Sequence, residues 1–294
     1  MQASVLIVSK DRKSELKKTL LILEKMLIFS SQEVLVFLDG CTDDSEFLKE
    51  EFKWVKWFTS DKSIGASRAR AILYPNAMGT MLIGLDDDAH PLSSDFVIVV
   101  ERLFKDFPNV GILTFQEIKG VFVSDEIALN SVDDKKEEYI TNDFIGCGFA
   151  IRKEAYEKTN GFPVWMDIYG EESCVAIEVI SKGYDILYSN AIKVNHRVDK
   201  EARKYSRRNY FRFEKQLKNS TAYYIVYYQS PIFKIMKLYW HNFRKYALKD
   251  MRYFKLFFKV ILEVFLDIPR LLKYRRPIDK FIIDEMKHFT AIKY

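Results

Sequence analysis

Short apolar runs alternate with segments of helical spacing along the first two-thirds of the chain. Residues 5–8 (Val-Leu-Ile-Val), 33–38 (Glu-Val-Leu-Val-Phe-Leu), 80–85 (Thr-Met-Leu-Ile-Gly-Leu) and 110–115 read as buried strands. Between them, residues 14–29 place Leu16, Leu20, Leu23 and Leu27 on one helical face, and residues 63–73 and 96–107 also read as helices. Strand alternating with helix predicts an α/β fold: a mostly parallel sheet with helices on both faces.

The following stretch is less regular. An acidic loop at 133–138 precedes Ile145-Gly146-Cys147-Gly148-Phe149, and Asn160-Gly161-Phe162-Pro163 reads as a turn. Glu171-Glu172 opens a helix over 173–182 that stops at Gly183, and a strand over 185–194 ends at Asn195-His196.

Charge divides the chain. The net charge is only +5, yet residues 200–294 hold 23 Lys or Arg against 8 Asp or Glu, a net +15, and 22 of the 44 aromatics. The first 199 residues carry −10. That asymmetry predicts an acidic body (1–199) and a cationic, aromatic-rich helical region (200–294) that meets an anionic partner, either a membrane surface or a nucleic acid. Three well-separated cysteines (Cys41, Cys147, Cys174) form no CxxC pair and favour a reduced, cytoplasmic setting. The N-terminal residues do not have the pattern of a signal peptide, and no apolar run reaches the length of a transmembrane helix.

The most informative constellation is Asp86-Asp87-Asp88 directly after an apolar strand. Ligands of open α/β sheets bind beyond the carboxyl ends of the strands. Three adjacent carboxylates there repel one another unless a cation joins them, and Mg²⁺ or Mn²⁺, both suited to oxygen ligands, could bridge to a diphosphate. Asp39 ends the second strand, where a carboxylate could hydrogen-bond a base or ribose, or turn the chain. Arg68 and Arg70 could offset phosphate charge. Glu171-Glu172 could supply a general base, since paired like charges raise one pKa, and His196 could ligate metal or contact phosphate.

Taken in order, these pieces resemble the inverting glycosyltransferases of family 2, which have the Rossmann-like GT-A fold. The resemblance runs over residues 4–197. Val5–Arg12 is similar to the family's first strand and the Arg after it, Leu38–Ser45 to its nucleotide-binding Asp and turn, and Ser63–Arg70 to its N-x-G-x-x-x-A-R-N segment. Leu85–Asp88 resembles the Asp-x-Asp motif, Gly146–Arg152 the acceptor-side Gly-rich strand, and Gly170-Glu171-Glu172 the Glu-Asp pair, with Gly183 and His196 at the expected distances beyond. This sequence departs from the pattern in carrying Glu172 where the family commonly has Asp, and Ser63 and Arg70 at usual Asn positions.

The resemblance implies a nucleotide-diphospho-sugar donor bound by Ser9, Arg12, Asp39, Arg68, Asp86 and Asp87. It implies a Mn²⁺ or Mg²⁺ ion held by Asp86 and Asp88, with His196 completing the site, although the triplet leaves open which two carboxylates touch metal. Glu172 would deprotonate the acceptor hydroxyl and Glu171 would support the acceptor, which is expected to be a glycan or a lipid-linked saccharide of cell-surface polysaccharide synthesis.

In the basic region, residues 232–249 place Lys234, Lys237, His241, Arg244, Lys245 and Lys249 within an arc of about 140° on a helical wheel, opposite Met236, Tyr239, Trp240 and Phe243. Residues 252–270 gather Arg252, Lys255, Lys259, Glu263, Asp267 and Arg270 into a narrower stripe. The expectation is a peripheral protein at the inner face of the cell membrane, held to anionic lipid through 232–270. Packing of these helices on the body, or in a homodimer, is the alternative. No nucleic-acid-binding motif is visible. A sugar-phosphate nucleotidyltransferase would need a Gly-rich loop after the first strand, yet the first glycine is Gly40. No P-loop occurs. A non-catalytic membrane scaffold on a transferase-like body is the remaining rival.

Overall fold

The structure, a computed structural model, describes residues 1–133, 135–198 and 208–292. Its strands are β1 (Ala3–Ser9), β2 (Gln32–Asp39), β3 (Lys56–Ser60), β4 (Met81–Asp86), β5 (Ala89–Pro91), β6 (Val110–Lys119), β7 (Glu138–Thr141), β8 (Gly148–Arg152) and β9 (Asp185–His196). Its α-helices are α1 (Lys13–Met26), α2 (Leu48–Glu51), α3 (Ala66–Leu73), α4 (Phe96–Asp106), α5 (Asp125–Leu129), α6 (Lys153–Glu157), α7 (Glu171–Ser181), α8 (Arg208–Tyr227), α9 (Ile232–Asn242), α10 (Met251–Leu272) and α11 (Lys280–Glu285).

The strands form one sheet in the order β3-β2-β1-β4-β8-β6-β9-β5, with β7 also paired to β9. β3, β2, β1 and β4 are parallel, as alternating strand and helix requires. Continuous apolar runs in these strands follow from burial on both faces. Val5 and Ile7 of β1 face Leu16, Leu20 and Leu23 of α1, while Leu6 faces Ala69 and Leu73 of α3.

β8 then enters antiparallel between β4 and β6, pairing Leu85 with Gly148 and Thr114 with Phe149. β6 and β9 are parallel but not in one register. Phe115 pairs with Ser189 and Gln116 with Lys193, so residues 190–192 bulge out of β9. Beyond the bulge both strands continue, β6 to Lys119 and β9 to His196. The apolar run of β6 ends at Phe115, which is why its polar half did not read as strand. β3, β5 and β7 are too short or too polar to show a period.

The expected boundary between residues 199 and 200 lies outside the described residues. From Arg208 onward, α8 to α11 build a third apolar cluster that includes Trp165, Met166, Cys174 and Ile177 of the body. Tyr227 donates its hydroxyl to Glu178 Oε1 (2.6 Å), and Asn219 donates to the Ile168 carbonyl (2.6 Å). Residues 232–249 are not one regular helix: α9 ends at Asn242 and a π-helical turn spans Phe243–Ala247. The apolar side of this segment is divided. Tyr239 and Phe243 pack inward, while Ile232, Phe233, Met236 and Trp240 are exposed. α10 does the same, with Phe257, Val260 and Val264 buried and Leu262, Phe265 and Leu266 exposed. No helix of the described residues is long and apolar enough to cross a membrane.

Candidate active site

The carboxyl ends of β2 and β4, the far end of β9 and the start of α7 bring the acidic residues of the body together. Asp39 closes β2 and is buried. Its Oδ1 accepts from the Ile64 amide (2.6 Å), and its Oδ2 from the Gly65 amide (3.0 Å) and the Ser63 hydroxyl (2.7 Å). Gly65 has φ +91°, and a Cβ there would lie within 2.9 Å of Asp167, so this turn into α3 requires glycine. Asp39 thus fixes the loop that opens α3.

The triplet separates by direction. Asp86 ends β4 and lines a cleft of about 720 Å³. Asp87 turns back to accept from Ser9 Oγ (2.7 Å), with Arg12 Nη1 3.4 Å away. Asp88 pairs with Arg12 on one side and stands 3.3 Å from His196 Nε2 on the other. Burial pushes Asp87 up to about 7, against the pull of Arg12 and Ser9. Burial also opposes ionisation of Asp88, but contacts with His196 and Arg12 outweigh it and hold the group near 2. His196 is raised to about 9: burial would lower it, and its bonds to Asp88 and Glu117 prevail.

Ligand atoms of Asp86, Asp88 and His196 lie within 4.8 Å of one another. Asp88 Oδ1 is buried, with His196 Nε2 as its polar neighbour at 3.3 Å. Two carboxylates and an imidazole gathered this closely form a donor set that suits a divalent cation. Ser9 and Arg12 stand behind this group and orient Asp87 and Asp88; of the triplet only Asp86 lines the cleft, with Asp88 buried just behind it.

Glu171 and Glu172 begin α7, and both converge on Arg70. Arg70 Nη1 donates to Glu171 Oε1 (3.0 Å) and to Glu172 Oε1 (3.0 Å), and Nη2 lies 3.3 Å from Asp86 Oδ1. Glu171 is buried, and its carboxyl is raised by that burial and by the Glu172 charge beside it. Glu172 is more open to the cleft, with a fifth of its side chain exposed. A Cβ on Gly146 would lie 2.3 Å from Glu172 Oε1, so the glycine lets this carboxylate lie against the backbone. Arg68 turns away from the cleft and donates to the Val164 (2.8 Å) and Ile64 (3.0 Å) carbonyls; Arg70 is the arginine that reaches the acids.

Three contributors escaped sequence reading. Glu117 Oε1 contacts His196 Nδ1 (2.5 Å) and so sets the imidazole's orientation. Arg197 is buried behind the triplet, donating to Glu15 Oε2 (2.6 Å) and Thr19 Oγ1 (2.6 Å), while its amide donates to the Asp88 carbonyl (2.9 Å). Asp143 lines the cleft beside Ser173, and burial pushes it up to about 6. The available signals were an acid two residues past an apolar run, an arginine next to His196, and an acid just before the Gly-rich segment.

No protein-family model matches the sequence. Among solved structures, the chain superposes on residues 1–349 of TarS from S. aureus with TM-score 0.62 at 12% identity, covering 94% of this chain and 83% of that one. The fold is that of GT-A glycosyltransferases. GalNAc-T7 with UDP, GalNAc and Mn²⁺ superposes with TM-score 0.60 at 19% identity over 83% of this chain, which spans half of that longer one. The mannosyltransferase PcManGT from Pyrobaculum calidifontis, with GDP-Man and Mn²⁺, gives 0.57 at 15% identity over 93% of this chain and 72% of that one. An uncharacterised protein of Haemophilus influenzae is 29% identical over 175 residues, 54% of this chain and 92% of that protein.

Proposed function

We propose that the protein is a metal-dependent inverting glycosyltransferase that moves a sugar from a nucleotide-diphospho-sugar to a hydroxyl of a glycan or lipid-linked acceptor. The observation that carries this reading is the convergence of Asp86, Asp88 and His196 on one side of the cleft with Glu172 on the other, joined through Arg70. Neighbours of the same fold hold nucleotide sugars, and two of them Mn²⁺.

Asp86, Asp88 and His196 would hold Mn²⁺ or Mg²⁺, which when bound supplies Lewis-acid stabilisation of the departing diphosphate. Glu172 takes the proton from the acceptor hydroxyl. The oxygen's electron pair then forms the bond to the anomeric carbon as the bond to the diphosphate oxygen breaks and its pair leaves with that oxygen. In-line displacement without an enzyme nucleophile inverts the anomeric centre. Arg70 holds Glu172 in place through its Nη1–Oε1 hydrogen bond. Asp39 orders the Gly65 loop at the nucleotide side.

The exposed residues Phe233, Met236 and Trp240 on α9, beside Lys237 and Arg244, support a second element of the reading, docking of this face on an anionic membrane surface. The decisive experiment is a donor screen. Purified protein with Mn²⁺ and a panel of UDP-, GDP- and dTDP-sugars should release nucleotide diphosphate from one class of donor, and Asp88→Ala and Glu172→Gln should abolish transfer. Activity unchanged in either variant overturns the scheme.

A further inference from the structure

A second cavity, of about 310 Å³, shares Asp143, Gly170, Ser173 and Ser220 with the wall of the catalytic cleft. Its size is at the small end for ligand pockets, about 300–1,000 Å³. None of Asp86, Asp88 or His196 lines it, so it lies on the other side of the base from the candidate metal group.

Its lining is built for recognition. Tyr223, Tyr224 and Tyr228 from one stretch of α8 and the residue after it stand in mutual edge contact, with ring centroids 5.0–6.0 Å apart. No hydrogen bond to their hydroxyls occurs among the described residues, and all three side chains are half-buried, so the hydroxyls are open to solvent or to a ligand. Burial raises all three, so each hydroxyl keeps its proton and can donate.

Two cations complete the lining. Lys287 pairs with Asp284 (2.5 Å). Lys234, at the start of α9, lies over the Tyr228 ring at 5.7 Å; it is near enough to Asp284 to help lower that carboxyl, but no acid is within ion-pair distance of it among the described residues. Aromatic faces, three donor hydroxyls and two ammonium groups against the single lining carboxyl of Asp143 match a sugar that carries a negative charge.

We infer that this cavity is an acceptor subsite that binds a saccharide unit bearing a phosphate or carboxylate, next to the unit whose hydroxyl Glu172 deprotonates. The inference rests on the transferase reading, which places the acceptor on the Glu172 side of the cleft. It assigns Lys234 to the acidic group and Tyr223, Tyr224 and Tyr228 to the sugar's hydroxyls and ring.

Calorimetric titration of the full chain with glucose 6-phosphate, glucuronate and glucose tests it. At least one of the two acids should bind at least about tenfold more tightly than glucose, and Lys234→Ala should weaken that acid by about tenfold while leaving glucose unchanged. Tyr224→Phe, which removes a hydroxyl but keeps the ring, should weaken acid binding by a smaller factor. The phosphate and carboxylate arms identify which acid the site takes. Asp88→Ala should leave all three titrations unchanged, so a failed donor reaction and a failed subsite give separate results. Absence of acid binding, equal binding of the three sugars, or acid binding that survives Lys234→Ala overturns the assignment.

Discussion

Arg70 donates its Nη1 to Glu172 Oε1 across 3.0 Å, and its Nη2 reaches Asp86 Oδ1 at 3.3 Å, joining the proposed proton acceptor to the strand-end group that faces it. The same guanidinium serves buried Glu171, so its planar fork matters as much as its charge. Arg70→Lys should fold but lose about a hundredfold in transfer rate, because a single ammonium cannot hold both glutamates and also reach Asp86. Arg70→Met should cost about 3–5 kcal/mol of unfolding free energy by stranding a buried carboxylate. Urea denaturation of both variants, alongside nucleotide release, separates the two effects.

Glu117 acts through His196. Glu117→Gln replaces an anionic partner of Nδ1 by a neutral one and should weaken Mn²⁺ binding by about 10–100-fold. Titration of the full chain with Mn²⁺, followed by the electron paramagnetic resonance of the free ion, checks it. An unchanged affinity would remove His196 from the metal group.

Gly146 separates activity from stability. Its added Cβ would meet only the far end of the Glu172 side chain, which can swing aside. Gly146→Ala should therefore cost less than about 1 kcal/mol in stability while transfer falls by tenfold or more. Thermal unfolding and initial rates on one preparation decide the matter.

One acid-sensitive contributor to stability lies at Glu33, far from the cleft. Its carboxylate accepts from Ser4 Oγ (2.6 Å), the Met78 amide (2.6 Å) and Lys56 Nζ (2.5 Å). Burial alone would raise this group, but these bonds hold it below its ordinary 4.5. A folded pKa below the unfolded one contributes stability that is complete above the unfolded value and is lost as pH falls through the folded value. Glu33→Gln should cost about 1–2 kcal/mol at pH 7, and the gap to the parent should close below pH 4 in denaturant titrations.

The tail is tested by flotation. The full chain should rise with vesicles containing anionic lipid at low salt and lose that behaviour as salt increases. Phe233→Ser with Trp240→Ser should reduce flotation without affecting nucleotide release, since both side chains are exposed. Full-length protein that ignores the vesicles refutes membrane docking.

The parallel half of the sheet was legible because β1, β2 and β4 are apolar on both faces and end in turn residues. The grouping of Asp86, Asp88 and His196 was legible only through motif order, since nothing local brings residues 86 and 196 together. Arg68 and Arg70 looked equivalent in sequence, yet two residues apart they point to nearly opposite sides of a helix: α3 buries Arg70 against the acids and turns Arg68 toward the Val164 carbonyl. Glu117, Arg197 and Asp143 were hidden because their roles depend on pairing between β6 and β9 and on the packing of loops, which hydrophobic period does not encode. The division of α9 and α10 into buried and exposed apolar sides was hidden for a related reason. A helical wheel separates polar from apolar positions, and it does not say how much of a wide apolar arc a neighbouring helix will cover.

The bulge at residues 190–192 sets the phase of everything after it. Side chains of a strand alternate between faces, so shortening this loop-out by one residue would turn His196 over and bring Arg197 into its place beside Asp88. The count of residues in the bulge thus behaves as a gear tooth between the sheet and the candidate metal group. Substitutions within 190–192 that preserve that count should be tolerated far better there than any single deletion.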